Sequence, residues 1–250
     1  MKKLLSAIAV LALGAGVASA QDREIDLQEL EEFNKIELSK ENSRVNTELN
    51  FAFPMYFGAS VLTNVNYKGI WADRSQVFYD DFLKFRTGKN FVYALQLAEM
   101  KIKGNMLSLS LGLRWTFMDF TFADSRFTLR PVGSSYIPVP IQEINPGYDL
   151  NKSKIHASYF GIPLRVGVEV GKATIYAGGS AELLTGGYAK YKRPKERQQI
   201  KEVFNPFRAT VEAGFSYGNL GVFCMYGLTP LFQDSLSDAR TITFGLLLGL

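Results

Sequence analysis

From Lys152 to Lys172 apolar and non-apolar residues alternate almost without a break. Phe160, Ile162, Leu164, Val166, Val168 and Val170 fall on one parity, and Tyr159, Gly161, Pro163, Arg165, Gly167 and Glu169 on the other. A period of two sends these sets to opposite faces of one β-strand. The first face is wholly apolar; the second mixes glycine with charge. A strand of a soluble sandwich alternates in the same way, so one stretch does not choose the environment. Most of the other strand-like stretches repeat the pattern at similar length, and that repetition limits what the chain can fold into.

Strands are expected at about Glu48–Ser60, Phe91–Lys101, Met106–Phe122, Lys152–Lys172, Ala173–Leu184, Phe207–Tyr217, Leu220–Thr229 and Ala239–Leu250. Lys103-Gly104-Asn105, Gly171-Lys172 and Gly218-Asn219 read as tight turns. Between them lie long connections: Val61–Asn90, with Trp71 and a helical turn around Asp80–Phe85; Ala123–Asn151, too proline-rich to be a strand interior; and the basic Gly186–Pro206. A shorter loop covers Pro230–Asp238. Long and short connections thus alternate. Long loops on one side and tight turns on the other are the pattern of outer-membrane barrels.

Cost assigns the faces. Arg114, Arg165, Glu169, Glu182, Arg208 and Glu212 all lie on the parity opposite the Leu, Phe and Val sets. An Arg or Lys on the lipid side near the midplane costs about 2–4 kcal/mol. Turned inward, the six are candidates for structural ion pairs in the lumen, and glycines such as Gly112, Gly161, Gly167 and Gly214 leave room for them. A soluble lipocalin-type barrel has the reverse arrangement, apolar inside and polar outside. The expected fold is therefore all-β, an eight-stranded antiparallel up-and-down transmembrane β-barrel. Side chains fill the interior of a barrel this narrow, so a plugged lumen is expected rather than a diffusive pore.

The N-terminus fits export. Lys2 and Lys3 precede an apolar run Leu4–Val17 and a small-residue site Ala18-Ser19-Ala20, which predicts a signal peptide over residues 1–20. Residues 21–46 are acidic, with eight carboxylates against four cations, and are expected to form a periplasmic segment, solvated or docking a partner. The barrel domain is assigned to residues 47–250. Hydrophobic residues make up 47% of the chain, yet no later segment has the length of apolar sequence a membrane helix needs. The formal charge of +4 becomes +2 without Lys2 and Lys3, which points away from nucleic acid. Cys224 is the sole cysteine, so no internal disulfide forms.

The second half also carries family-like motifs. Lys152–Val166 (KSKIHASYFGIPLRV) resembles the K-S-K-x-x-x-x-Y-x-x-I-P-L strand of the Bacteroidota PorT-like outer-membrane β-barrel family. Asn205-Pro206-Phe207-Arg208, Tyr217-Gly218-Asn219, the run Tyr226–Phe232 and Phe244-Gly245-Leu246 resemble its C-terminal half, and Leu95–Glu99 a second-strand pattern. The resemblance implies an eight-stranded barrel; one branch of the family is associated with a secretion apparatus, and none of these motifs is catalytic.

No cofactor or metal site is expected, because no His/Cys/Asp cluster has zinc spacing. His156 is the only histidine, with Ser153 and Ser158 nearby, and this spacing matches no triad template. Lys190, Lys192, Arg193, Lys195, Arg197 and Lys201 make the third connection basic, suited to face lipopolysaccharide. Phe120, Phe122, Tyr159, Tyr188 and Tyr217 are expected in interface girdles. The chain reads as an integral outer-membrane protein with both termini periplasmic. The functional expectation is a non-enzymatic envelope scaffold or secretion accessory acting through protein contacts. The alternatives are a surface binding or adhesion barrel acting through its long loops and, behind that, a barrel-embedded lipid-modifying enzyme or protease. Outer-membrane lipid, lipopolysaccharide and envelope or secretion proteins are the expected partners.

Overall fold

The computed structural model describes residues 46–50, 54–66, 68, 84–86, 88–104, 106–132, 135–144, 146–147, 152–191, 196–234 and 236–249. The signal segment, the acidic segment up to Val45, Trp71, and Lys192, Arg193 and Lys195 lie outside these residues, as does the Asp80–Phe85 turn except for its end, where Phe85 bridges Phe122.

The chain forms an all-β, closed, eight-stranded antiparallel barrel. Its staves are β2 (Met55–Thr63), β3 (Phe91–Lys103), β4 (Leu107–Thr121), β7 (Ser153–Val170), β8 (Ala173–Tyr191), β10 (Phe207–Tyr217), β11 (Leu220–Gly227) and β12 (Arg240–Leu248). Each pairs with its neighbour in the chain, and β12 pairs with β2 to close the sheet. A short strand β1 (Asn46–Asn50) continues the first stave downward along β3. Its register differs by one residue from that of β2, since Asn50 faces Glu99 while Met55 faces Leu95. The described parts of the first expected strand, β1 and β2, thus pair with β3 in two registers.

Three tight turns join β3–β4, β7–β8 and β10–β11 at one end, where β12 also finishes: the Gly249 amide bonds the Asn219 carbonyl at 2.7 Å. Gly171 and Gly218 have φ of +61° and +57°. This left-handed conformation favours glycine, which accounts for tight reversals at these two positions.

The opposite end is more built than the sequence pattern indicates. The proline-rich connection contains a hairpin of β5 (Phe127–Val132) and β6 (Ser135–Pro140), with Pro131, Pro138 and Pro140 inside its strands. In a sheet of two strands each strand is an edge, and an edge position facing away needs no N–H. β8 likewise runs seven residues beyond the expected Leu184 and pairs with β9 (Glu196–Gln199). Part of the basic connection is therefore strand, with Tyr188–Tyr191 paired to Glu196–Gln199.

Outward positions are apolar on all eight staves, for example Phe57, Tyr93, Leu111, Leu164, Ile175, Val211, Val222 and Phe244. Leu107, Val170, Ile175 and Leu183 are each more than 60% exposed. Outward charges among the described strand residues sit only near the long-loop end, at Asp119, Lys154, Lys190, Arg197 and Arg240. Inward positions hold the charges. The molecule is apolar outside and ionic inside, the reverse of a water-soluble barrel.

Candidate functional site

The lumen is built from two cross-strand rows. Gln96 of β3, Arg114 of β4, Gly161 of β7, Glu182 of β8 and Arg208 of β10 lie directly opposite one another in turn. Two inward levels nearer the tight turns, Ser110, Arg165, Gly178 and Glu212 do the same across β4, β7, β8 and β10. In the first row Gly161 separates Arg114 from Glu182, and in the second Gly178 separates Arg165 from Glu212. A Cβ on Gly161 would lie 2.5 Å from Glu182 Cγ, and one on Gly178 would lie 3.0 Å from Arg165 Cγ. The missing side chains let Glu182 and Arg165 lie flat across the intervening strand and reach their partners.

The result is one alternating chain of charge, Arg208–Glu182–Arg114–Glu212–Arg165. Arg208 Nη1 donates to Glu182 Oε2 at 2.5 Å. Arg114 donates through Nη2 to Glu182 Oε1 at 3.1 Å and through Nη1 to Glu212 Oε2 at 2.5 Å. Arg165 Nε donates to Glu212 Oε1, and its Nη1 donates to Gln96 Oε1 at 2.9 Å. Thr116 and Ser180 hydroxyls add bonds of 3.3 and 3.0 Å to Glu182 Oε1. Arg114 and Glu182 are completely buried. Burial at this depth requires such pairing, because an isolated charge would lose its hydration uncompensated.

Five of the six expected lumen residues thus belong to one network. The sixth, Glu169, does not join it and instead pairs with Lys101 near the tight-turn end, with Lys103 at 3.9 Å. Strict alternation misses these lysines because of a bulge: Gln96 faces Arg114, but Ala98 faces Leu113. The extra residue, Leu97, reverses parity. Ala98 turns outward, against the alternation, while Glu99, Lys101 and Lys103 turn inward. Tyr56 and Tyr176, also not singled out by pattern, flank Arg165 with ring centroids 5.4 Å from its guanidinium carbon.

Between the network and the tight turns is a cavity of about 130 Å³ lined by Tyr56, Glu99, Lys101, Ser110, Arg165 and Tyr176, among others. Toward the long loops the filling turns apolar. Inward-facing Met118, Phe120, Ile155, Ala157 and Tyr159 pack with Phe204, Leu231 and Phe232 from the loops. This corrects the girdle expectation for Phe120, Phe122 and Tyr159, which are fully buried inside. They share the inward parity, and the loop residues folded over them keep water out.

Of the basic connection, Lys190 lies in β8, Arg197 in β9, and Lys201 opens a 3-10 turn. Lys190 and Arg197 face each other across the hairpin, and Lys201 stands apart. His156 faces outward, its Nδ1 2.7 Å from Asp119 Oδ1 and its ring stacked 4.4 Å from that of Tyr188. Ser153 points into the barrel and is buried, and the Ser158 hydroxyl donates to the Gly186 carbonyl at 3.4 Å. No group of three or more His, Cys, Asp or Glu side chains able to hold a metal occurs among the described residues.

No protein-family model matches the chain, and no curated protein matches it. Among solved structures it is similar to Ail, the attachment invasion locus protein of Yersinia pestis, at 11% identity and a TM-score of 0.34 over 80% of this chain and 97% of that one. It is also similar to Neisserial surface protein A, at 8% identity and a TM-score of 0.37 over 80% and 98%.

Proposed function

We propose that this is an integral outer-membrane protein without enzymatic activity, sealed to diffusion, that serves as an envelope scaffold or secretion accessory through protein contacts. The observation that carries the membrane reading is the apolar wall on every stave around an ionic interior. Water would hydrate that wall unfavourably, whereas lipid accepts it. The sealed reading rests on the Arg/Glu chain and the apolar filling above it. In this reading the tight turns, Asn46 and Leu248 face the periplasm, and the resemblance to PorT-like barrels supports a role in the cell envelope.

A second reading, a surface binding or adhesion barrel, is favoured by a specific observation. Among the described residues the long-loop end carries the β5–β6 hairpin, the β8–β9 extension and loop residues packed into the apolar cluster. A pre-formed surface binds with less ordering cost than a mobile one.

Mild-detergent purification from outer membranes separates the two readings. A stoichiometric set of co-purifying envelope proteins supports the scaffold, and a lone barrel supports the surface-binding alternative. Recovery in the soluble periplasmic fraction would overturn both. In planar bilayers the protein should show no steady conductance. His156→Ala should leave any envelope phenotype unchanged; a lost phenotype would revive the lipid-modifying or proteolytic alternative.

A further inference from the structure

The cavity between the ionic network and the tight turns carries hydrogen-bonding groups that the protein leaves unused. Arg165 Nε donates to Glu212 Oε1 and Nη1 donates to Gln96 Oε1 at 2.9 Å, but Nη2 is buried without a partner. The Tyr176 hydroxyl is also buried without a partner. Both residues line the cavity and both are 8% exposed. The neighbouring Tyr56 hydroxyl, by contrast, donates to Gln96 Oε1 at 3.2 Å. Leaving a buried donor unmade costs stability. Two such donors on the wall of one cavity point to a guest that accepts from them.

Glu99 lines the same cavity with the opposite need. Its Oε1 is 3.7 Å from Arg165 Nη1, close enough for an ion pair but too long for a hydrogen bond. The fixed charges already balance. The network's three arginines exceed its two glutamates by one, Glu99 supplies the missing charge, and Lys101 pairs with Glu169. A bare anion would therefore sit uncompensated beside Glu99, and a bare cation beside Arg165. A zwitterion adds no net charge and answers both groups. Because Glu99 and Arg165 are neighbours, its opposite charges must lie close together, as the ammonium and carboxylate of an α-amino acid do.

Size sets the side chain. The cavity is about 130 Å³, and an apolar cavity of about 150 Å³ holds benzene. Glycine and alanine, with about five or six non-hydrogen atoms, are of that size. Thr174, Gly218 and Asn219 carry the lining to the tight turns, and the Arg/Glu chain closes the other side, so a ligand enters from the tight-turn end. We propose that this cavity binds a small α-amino acid, its carboxylate accepting from Arg165 Nη2 and the Tyr176 hydroxyl and its ammonium donating to Glu99. The site needs only the closed lumen, whatever surrounds the outer wall.

The test is equilibrium dialysis of radiolabelled glycine against the full-length protein in detergent micelles, competed by unlabelled alanine, acetate, methylamine and γ-aminobutyrate. Glycine should be retained and alanine should displace it. Acetate and methylamine each lack one charge, and γ-aminobutyrate holds its charges too far apart; all three should compete about tenfold more weakly or worse. Tyr176→Phe removes a hydroxyl that has no partner, so the variant should fold like the parent, as heat-modifiable migration shows, and bind glycine about fivefold more weakly. Glu99→Gln should weaken glycine about tenfold. Acetate competing as well as alanine would show an anion site and overturn the zwitterion assignment. No retained glycine, or retention indifferent to Tyr176→Phe, overturns the site and leaves water as the content of the cavity.

Discussion

The lumen has two fillings on one set of inward-facing positions. Around Arg114 it is ionic, with Arg and Glu alternating across β4, β8, β10 and β7. Around Phe120 and Tyr159 it is apolar, closed by Phe204 and Phe232 from the loops. The contrast shows that inward does not mean polar in a barrel this narrow. An inward position must be filled and satisfied, and both chemistries do so. Where loops fold in from above, apolar side chains find apolar partners. In the middle, where only other staves are within reach, a long charged side chain spans the bore and meets its opposite.

The two fillings should fail differently. Glu182→Leu strands Arg208 and takes one of two carboxylates from Arg114, both buried. Breaking a buried pair by removing one partner costs about 3–5 kcal/mol. Urea unfolding in lipid vesicles should show a loss of that size. Adding Arg208→Met should recover part of it, because the uncompensated charge goes too. A single variant within about 0.5 kcal/mol of the parent would mean that water, and not Glu182, satisfies these guanidiniums.

Phe232→Ala tests the apolar filling. Phe232 is fully buried and stacks on Phe204 at 5.7 Å and on Phe85 at 6.5 Å. The loss should be about 3 kcal/mol, at the lower end for Phe→Ala because loop residues relax into the cavity. No second substitution of a charged residue should rescue it. Its signature is faster proteolysis at the long-loop end with the staves still protected; uniform destabilisation of the staves would deny the contrast between the halves.

How far these halves were legible follows from what periodicity reports. Period-two alternation gives the face of Arg114, Arg165, Glu182, Arg208 and Glu212 directly, because each stave is regular where these residues lie. It does not reveal a bulge, so Leu97 hides the inward turn of Glu99, Lys101 and Lys103. It also gives no pairing across strands: that Glu169 meets Lys101 instead of the central network depends on its level in the barrel. Phe120 and Tyr159 had the inward parity all along. The expectation of a girdle followed residue type instead, and only the loop residues above them explain why rings belong there. The β5–β6 hairpin was hidden by its prolines, which forbid central strands but not paired edges.

The smallest effect belongs to the loops, where carboxylates are exposed and their contributions small. Asp124 is held below the usual carboxylate range chiefly by its hydrogen bonds from Arg126, which donates at 2.6 and 3.0 Å. Asp238 is likewise lowered, first by its bond from Lys68, and it ties the β2–β3 connection to the β11–β12 loop. A carboxylate with a depressed folded pKa stabilises above its unfolded value, near 3.9, and that contribution fades as pH falls through the lower folded value. Loop order should therefore be flat from pH 7 to about 5 and weaken only below about 4. For Asp124 the change should stay under about 0.5 kcal/mol, as for other solvent-screened pairs. Hydrogen exchange at Leu236 and Ala239, compared at each pH with an Asp238→Asn variant, isolates the carboxylate from the intrinsic pH dependence of exchange. The variant should exchange faster than the parent at pH 6, with the difference shrinking only as pH falls below about 4. A difference that already vanishes at pH 5 would mean that the Lys68 bond does not lower Asp238, and that the two connections are held together by their backbone bonds alone, such as Lys68 N–H to the Leu236 carbonyl at 2.8 Å.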